Sequence, residues 1–136
     1  MVKIKYADLS CYGYLKDKDH HISSEMLMRK INSEEILVLR ETDLIVGWLR
    51  FGYFWDNLPF MNLLMIDSQY RKMGYGRLLV GFWEEEMKKK GHKLVLTSSM
   101  ANENAQHFYR KLGYKDAGCL LLEEEGLEVV FKKEIV

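Results

Sequence analysis

Residues 66–77 read IDSQYRKMGYGR, and the last seven of them hold three cations and two glycines: Arg71, Lys72, Gly74, Gly76 and Arg77. The apolar run before them reads as a strand, and "GRLLVGFWEEEMKKKG" after them reads as a helix. A helix start that follows a strand presents free backbone N–H groups and the positive end of the helix dipole, which together bind phosphate. Glycine permits unusual backbone angles and close approach of a ligand. A phosphorylated ligand seated on Arg71, Lys72, Met73, Gly74, Tyr75, Gly76 and Arg77 is therefore the first expectation. Two familiar phosphate loops do not fit. The dinucleotide fingerprint needs a small residue where this chain has Leu79, and the ATP-type loop needs Gly-Lys-Ser/Thr, which is absent.

A second group follows in "NENAQHFYRKLG". Ala105, Phe108, Tyr109 and Leu112 fall at i, i+3, i+4 and i+7, one face of a helix. Asn102 suits the cap of that helix and Gly113 its end. Periodicity alone makes Tyr109 a core aromatic.

Taken together the two groups resemble the GCN5-related N-acetyltransferases (GNAT). That family carries Arg/Gln-x-x-Gly-x-Gly/Ala between a strand and a helix, here Arg71, Gly74 and Gly76. Many members later carry Asn-x-x-Ala-x-x-Phe/Leu-Tyr-x-x-x-Gly-Phe/Tyr, here Asn102, Ala105, Phe108, Tyr109, Gly113 and Tyr114. The resemblance is specific over residues 60–115 and extends through the order of elements over the chain. It implies a single domain, residues 1–136, of mixed α/β fold: a mostly antiparallel twisted sheet with one splayed parallel pair, flanked by helices. It implies acetyl-coenzyme A as co-substrate, its diphosphate on the 71–77 turn and its arm along Leu64, Met65 and Ile66, contacted by Asn102. A backbone N–H near Leu64 would polarise the acetyl carbonyl. Tyr109 takes the role of acid toward the leaving thiolate. A phenol titrates near ~10, so it holds a proton to give at neutral pH.

The reaction implied is direct acetyl transfer to a primary amine of a small molecule or peptide. Many relatives place a glutamate on the strand before the loop as base, yet "FMNLLMID" has none. Asp67, Asp56, Glu41 and His107 are candidates, and none is assigned. The missing glutamate keeps open an alternative, a non-catalytic acyl-CoA-binding sensor or regulatory module.

The elements that must position these residues read in the order β–α–β–β–β–α–β–α–β–β. "KIKYADL" opens as a strand and "SSEMLMRKIN" as a helix capped by Ser23 or Ser24. "EILVLRETD" and "LIVGWLRFGYFW" form two strands around a hairpin turn, "DNLP" breaks the chain, and "FMNLLMID" leads into the glycine turn. In the next helix Leu79, Val80, Trp83 and Met87 share one side, broadened by Leu78 and Phe82. "KLVLTSS" is a buried-type strand, and "KDAGCLLLEEEGLEVVFKKEI" makes two more around "EEEG". In the aromatic stretch, Tyr53 and Trp55 with Asp56 could wall and hold an acceptor ammonium, although core packing explains most of it.

Composition sets the outer limits. The chain has 136 residues, 48% of them hydrophobic, a globular composition. Twenty Lys plus Arg balance 20 Asp plus Glu, which argues against a nucleic-acid partner. No apolar run approaches the roughly 18 residues of a membrane span, and a cytoplasmic protein is expected. No metal-ligand pattern stands out. Of two cysteines, Cys119 in "CLLL" is expected to be a buried reduced thiol. Members of the family often dimerise, and nothing in the sequence identifies an interface.

Overall fold

The computed structural model describes all residues, Met1–Val136. Seven strands form one sheet in the order β1-β2-β3-β4-β5-β7-β6. They are β1 (Val2–Tyr6), β2 (Ile36–Glu41), β3 (Leu44–Phe54), β4 (Leu58–Ile66), β5 (Leu94–Met100), β6 (Lys115–Leu122) and β7 (Gly126–Glu134). Four helices accompany them: α1 (Tyr12–Lys18), α2 (Ser24–Asn32), α3 (Tyr75–Lys89) and α4 (Ala105–Lys111). β4 and β5 run parallel, with Phe60 opposite Leu96 and Met61 opposite Thr97. The pairs β1–β2, β2–β3, β5–β7 and β6–β7 are antiparallel. A mixed α/β fold with one parallel strand pair is what the sequence leads one to expect.

The chain forms two compact units, Met1–Phe51 with Leu63–Trp83, and Gly52–Asn62 with Glu84–Val136. In the first, α1 and α2 supply Leu15, Leu27 and Ile31 to a core shared with Ile36, Val38 and Trp48, and Leu63 and Met65 of β4 pack on it. Ser23 caps α2 by accepting from the Met26 N–H at 3.1 Å. A buried ion pair ties the α1–α2 connection to β3. Asp19 accepts from Arg50 Nε at 2.9 Å, Trp48 Nε1 at 3.3 Å and the His21 N–H at 3.1 Å. Burial alone would raise the Asp19 carboxyl. The bonds from Arg50, His21 and Trp48 and the guanidinium charge outweigh that and hold it below the usual carboxylate range.

In the second unit, Phe131 of β7 is fully buried, and the Tyr109 ring stands 6.1 Å from it, centroid to centroid. Glu84 of α3 accepts from the Tyr114 hydroxyl at 2.8 Å and from Lys133 Nζ at 2.9 Å. Burial first, then the charge of Glu84, pushes the Tyr114 phenol far above its ordinary value.

Several expectations need correction. α1 has no counterpart in the sequence reading. It is seven residues long, too short to show a period, and Gly13 interrupts its pattern. The break at "DNLP" is tighter than expected. Trp55 and Asp56, at φ 56° and 61°, form a two-residue turn, and the Asn57 N–H donates to the Phe54 carbonyl at 3.1 Å. β4 therefore starts at Leu58 and includes Pro59. Leu78 is 52% exposed and does not broaden the buried face of α3, which is Leu79, Val80, Trp83 and Met87. Cys119 is an exposed free thiol, because β6 is uncovered over almost its whole length.

Candidate active site

The glycine turn is held from both sides. Before it, Asp67 caps a 3₁₀ turn, Ser68–Tyr70, by accepting from the Gln69 N–H at 3.1 Å. This Asp67 is a capping carboxylate rather than an evident base. Arg71 folds back so that its Nε donates to the Ile66 carbonyl at 3.0 Å. Lys72 at φ 63° and Gly74 at φ 81° both adopt left-handed backbone. A Cβ built on Gly74 would meet nothing within 4 Å, so the space above it is open. The first hydrogen bond of α3 runs from the Leu78 N–H to the Gly74 carbonyl at 3.1 Å. The N–H groups of Tyr75, Gly76 and Arg77 precede it and have no partner within the helix. Three cationic side chains, Arg71, Lys72 and Arg77, are exposed around these donors. The residues present suit an anionic group of diphosphate size.

Tyr75 anchors the turn to the β2–β3 hairpin, its hydroxyl donating to the Glu41 carboxylate. That bond, then desolvation, raises the Tyr75 phenol. Glu41 is thereby tied to the turn through one of its carboxylate oxygens. No sequence signal links residues 41 and 75, since the contact is made only by folding.

At the end of β4, Leu63 and Met65 face the first core. By alternation Leu64 and Ile66 face the other side of the sheet. Gly47 of β3 lies against this segment, and a Cβ there would stand 2.6 Å from Ile66 Cδ1 and 3.1 Å from the Met65 carbonyl oxygen.

Tyr109 projects from α4 to the parallel strand pair. It is 6% exposed, and the Thr97 side chain lies beside its hydroxyl. Thr97 in turn donates to the Met61 carbonyl at 3.0 Å. Burial pushes the Tyr109 phenol up to about 12, partly offset by the neighbouring Thr97 hydroxyl. The group is neutral and carries a proton at any physiological pH. In the sequence "VLTSS" reads only as a strand, and nothing there points to Thr97.

Asn102 does not cap α4. The helix starts at Ala105, the cap position falls on Asn104, and no side chain bonds there. Asn102 lies exposed in the turn after β5, three residues ahead of the helix. Arg110 is bound to Asp116 at 2.9 and 3.0 Å, so it is not a free phosphate ligand. His107 is exposed on α4. Tyr53 packs on His92 with ring centroids 5.7 Å apart. Trp55, 74% exposed, and Asp56 occupy the turn before β4. Asp56 precedes Met61 by five residues, about 16 Å of strand at roughly 3.3 Å per residue, so the turn stands away from the Tyr109 hydroxyl.

The turn and the strand–helix order that carries it match known proteins. The profile of the Acetyltransferase (GNAT) family fits residues 3–114. The chain belongs to that family. The uncharacterized protein YyaT of Bacillus subtilis strain 168 is 35% identical over 75 residues, 55% of this chain and 49% of that protein. The match thus spans about half of that relative's length. Among solved structures, Ard1 from Thermoplasma volcanium superposes with a TM-score of 0.86 at 13% identity, over 99% of this chain and 98% of that one. Arabidopsis thaliana Naa50, in complex with the bisubstrate analogue CoA-Ac-MVNAL, superposes with a TM-score of 0.79 at 17% identity, over 97% of both chains. At these identities the likeness is one of fold.

Proposed function

We propose that the chain is an acetyl-CoA-dependent N-acetyltransferase, passing the acetyl group directly to a primary amine of a small molecule or peptide. The observation that carries this reading is the Arg71–Arg77 turn: left-handed Lys72 and Gly74 bring the free N–H groups of a 15-residue helix to one open place. The donor's diphosphate belongs there. Leu64, Met65 and Ile66 border its arm, a backbone N–H near Leu64 polarises the acetyl carbonyl, and Asn102 contacts the arm from the turn after β5. Donors of this kind contribute a few kcal/mol to acyl transfer.

The amine nitrogen attacks the carbonyl carbon, the carbon–sulfur bond breaks, and sulfur leaves as thiolate. Tyr109 supplies the proton that sulfur takes up. A phenol near 12 is a weak acid against a thiol near ~8.5 in water, but burial raises a thiolate as it raises a phenolate. β4 offers no carboxylate as base, its sequence being LPFMNLLMI. An acceptor with a weakly basic amine suits such a site. An α-amine near ~8 is about one-tenth neutral at pH 7, whereas a lysine amine near ~10.4 is neutral in fewer than one molecule in a thousand.

Titration calorimetry with acetyl-CoA, with 3′-dephospho-acetyl-CoA and ATP as controls, tests the donor. A thiol-release assay over a panel of peptide and small-molecule amines tests the reaction. Selective acetyl-CoA binding with turnover is expected. A folded protein that binds none of the three overturns the reading. Tight binding without turnover on any amine supports the sensor alternative instead.

A further inference from the structure

The buried side of α3 can be followed to the helix's first residue. Leu79, Trp83 and Met87 lie four residues apart and are fully buried. Tyr75 stands one turn before Leu79 on the same line. In β2, alternation sets Leu37, Leu39 and Glu41 on one face of the sheet. The extra residue of the nearby bulge lies in β3, between Ile45 and Gly47, so β2 alternates without interruption to Glu41. Leu37 and Leu39 are fully buried. Register places Leu37 opposite Leu49, two residues before Phe51, and the Phe51 ring stands 5.8 Å from that of Trp83. α3 therefore covers this face of β2 and β3. Each apolar row ends in a half-buried polar side chain, Tyr75 in one and Glu41 in the other, and the two are hydrogen-bonded.

Apolar contact is non-directional. The leucine and tryptophan rows hold α3 close to the sheet, but they resist a slide along its axis or a turn about it less well. A hydrogen bond is directional and adds that constraint. Its acceptor is firmly mounted. Glu41 is the last residue of β2, opposite Val2 of β1 and Leu44 of β3. Thr42 after it is β-branched yet sits at φ 58°, its N–H donating to the Met1 carbonyl at 2.8 Å. Its donor belongs to the residue that also carries the first free N–H group of the glycine turn. A slide or rotation of α3 would re-aim that group and the two after it.

We propose that Tyr75 and Glu41 are positioning residues of the donor site. The bond between their side chains sets the axial and rotational place of the first turn of α3, and with it the aim of the Tyr75, Gly76 and Arg77 N–H groups at the diphosphate. The inference rests on the reading of acetyl-CoA as donor. It gives Glu41 the task of an acceptor, not of a base.

Steady-state kinetics with acetyl-CoA and with S-acetylpantetheine, the same thioester without a diphosphate, test it. Tyr75→Phe keeps the ring in its row and removes the hydroxyl, and Glu41→Ala removes the acceptor. Each should raise KM for acetyl-CoA about five- to tenfold with kcat within about twofold, as the loss of a hydrogen bond to a charged group allows. Combined, the two should do no more harm than the worse of them, since one bond is lost in either case. Glu41→Gln keeps a carbonyl oxygen that accepts, and should stay within about twofold of the parent. With S-acetylpantetheine, kcat/KM should differ by less than about twofold among parent and variants. An unchanged KM in Tyr75→Phe overturns the proposal, and so does additivity of the two changes. An equal loss with S-acetylpantetheine overturns it too, because the effect would then be on the fold at large. A drop in kcat of about 10²-fold in Glu41→Gln would make Glu41 the base instead. The parent alone tests the underlying reading: if it is folded and binds no acetyl-CoA in calorimetry, the donor assignment fails before any variant is made. If it binds without turnover, calorimetric Kd values for the same ligands and variants decide in place of KM.

Discussion

Tyr109 shows how one side chain serves packing and chemistry together. Its ring stacks among Phe108, Tyr114 and Phe131 at 5.5, 5.8 and 6.1 Å between centroids. Its hydroxyl lies beside Thr97, which donates to the Met61 carbonyl across the β4–β5 pair. Periodicity in the sequence reveals the first role, and only the family motif points to the second. Substitution separates them. Tyr109→Phe keeps the ring, and with it most of the packing, and removes the hydroxyl with the proton it carries. Turnover should fall by roughly 10²-fold or more, the usual weight of a general acid, while acetyl-CoA affinity changes by less than about twofold. Stopped-flow thiol release and calorimetry on the same preparation give the two numbers. An unchanged rate would move the acid role to another group.

At the scale of elements, the glycine turn depends on how β4 is set. β3 passes close to Met65 and Ile66 at Gly47, so a methyl group there would require the end of the Ile66 side chain and the Met65 carbonyl to shift. Gly47→Ala should cost about 1–3 kcal/mol of stability, the range for overpacking, and should raise the Michaelis constant for acetyl-CoA through displacement of β4. A chemical-denaturation curve and a saturation curve check it, and a variant as stable and as tight as the parent would refute the close-packing argument. Asp19 fixes a different element, the connection between α1 and α2. Asp19→Ala leaves the Arg50 guanidinium buried without a partner and should cost about 3–5 kcal/mol, whereas Asp19→Leu with Arg50→Met should recover most of it. If the single change cost less than the double, the pair would not be the anchor. The sequence hints at this anchor, since an arginine inside the run "IVGWLRFGYF" needs a buried carboxylate. Which carboxylate it uses is not legible, for residues 19 and 50 meet only after α1 has formed. α1 itself is hidden for the same reason, being a short helix whose single fully buried residue, Leu15, gives no period.

For the molecule as a whole, the sequence is most informative where the pattern is long and repeated. β5, α3 and the β6–β7 hairpin lie where their apolar runs place them, and so does the glycine turn. It is least informative where the partner sits far along the chain, as with Glu84 between Tyr114 and Lys133. Those same long-range contacts set the alkaline limit of the fold. Tyr109, pushed up to about 12, and Tyr114, raised further by burial and by Glu84, both keep their protons in the folded chain at pH values where an unfolded phenol, near ~10, has lost its own. Below pH 10 the two states bind these protons equally and the full stabilisation is present. Above it the unfolded chain holds fewer, so stability falls as pH rises. Tyr109 alone accounts for on the order of 3 kcal/mol between pH 10 and 12, a large share of the ~5–15 kcal/mol typical of a domain. The melting temperature should therefore drop steeply across that window, with phenolate absorbance rising together with loss of helical signal. Lysine deprotonation adds to the slope in every variant, so the decisive comparison is the parent against Tyr109→Phe with Tyr114→Phe. The double variant, less stable at pH 7, should lose less with each further pH unit above 10. An identical slope would mean that these phenols ionise without unfolding the chain.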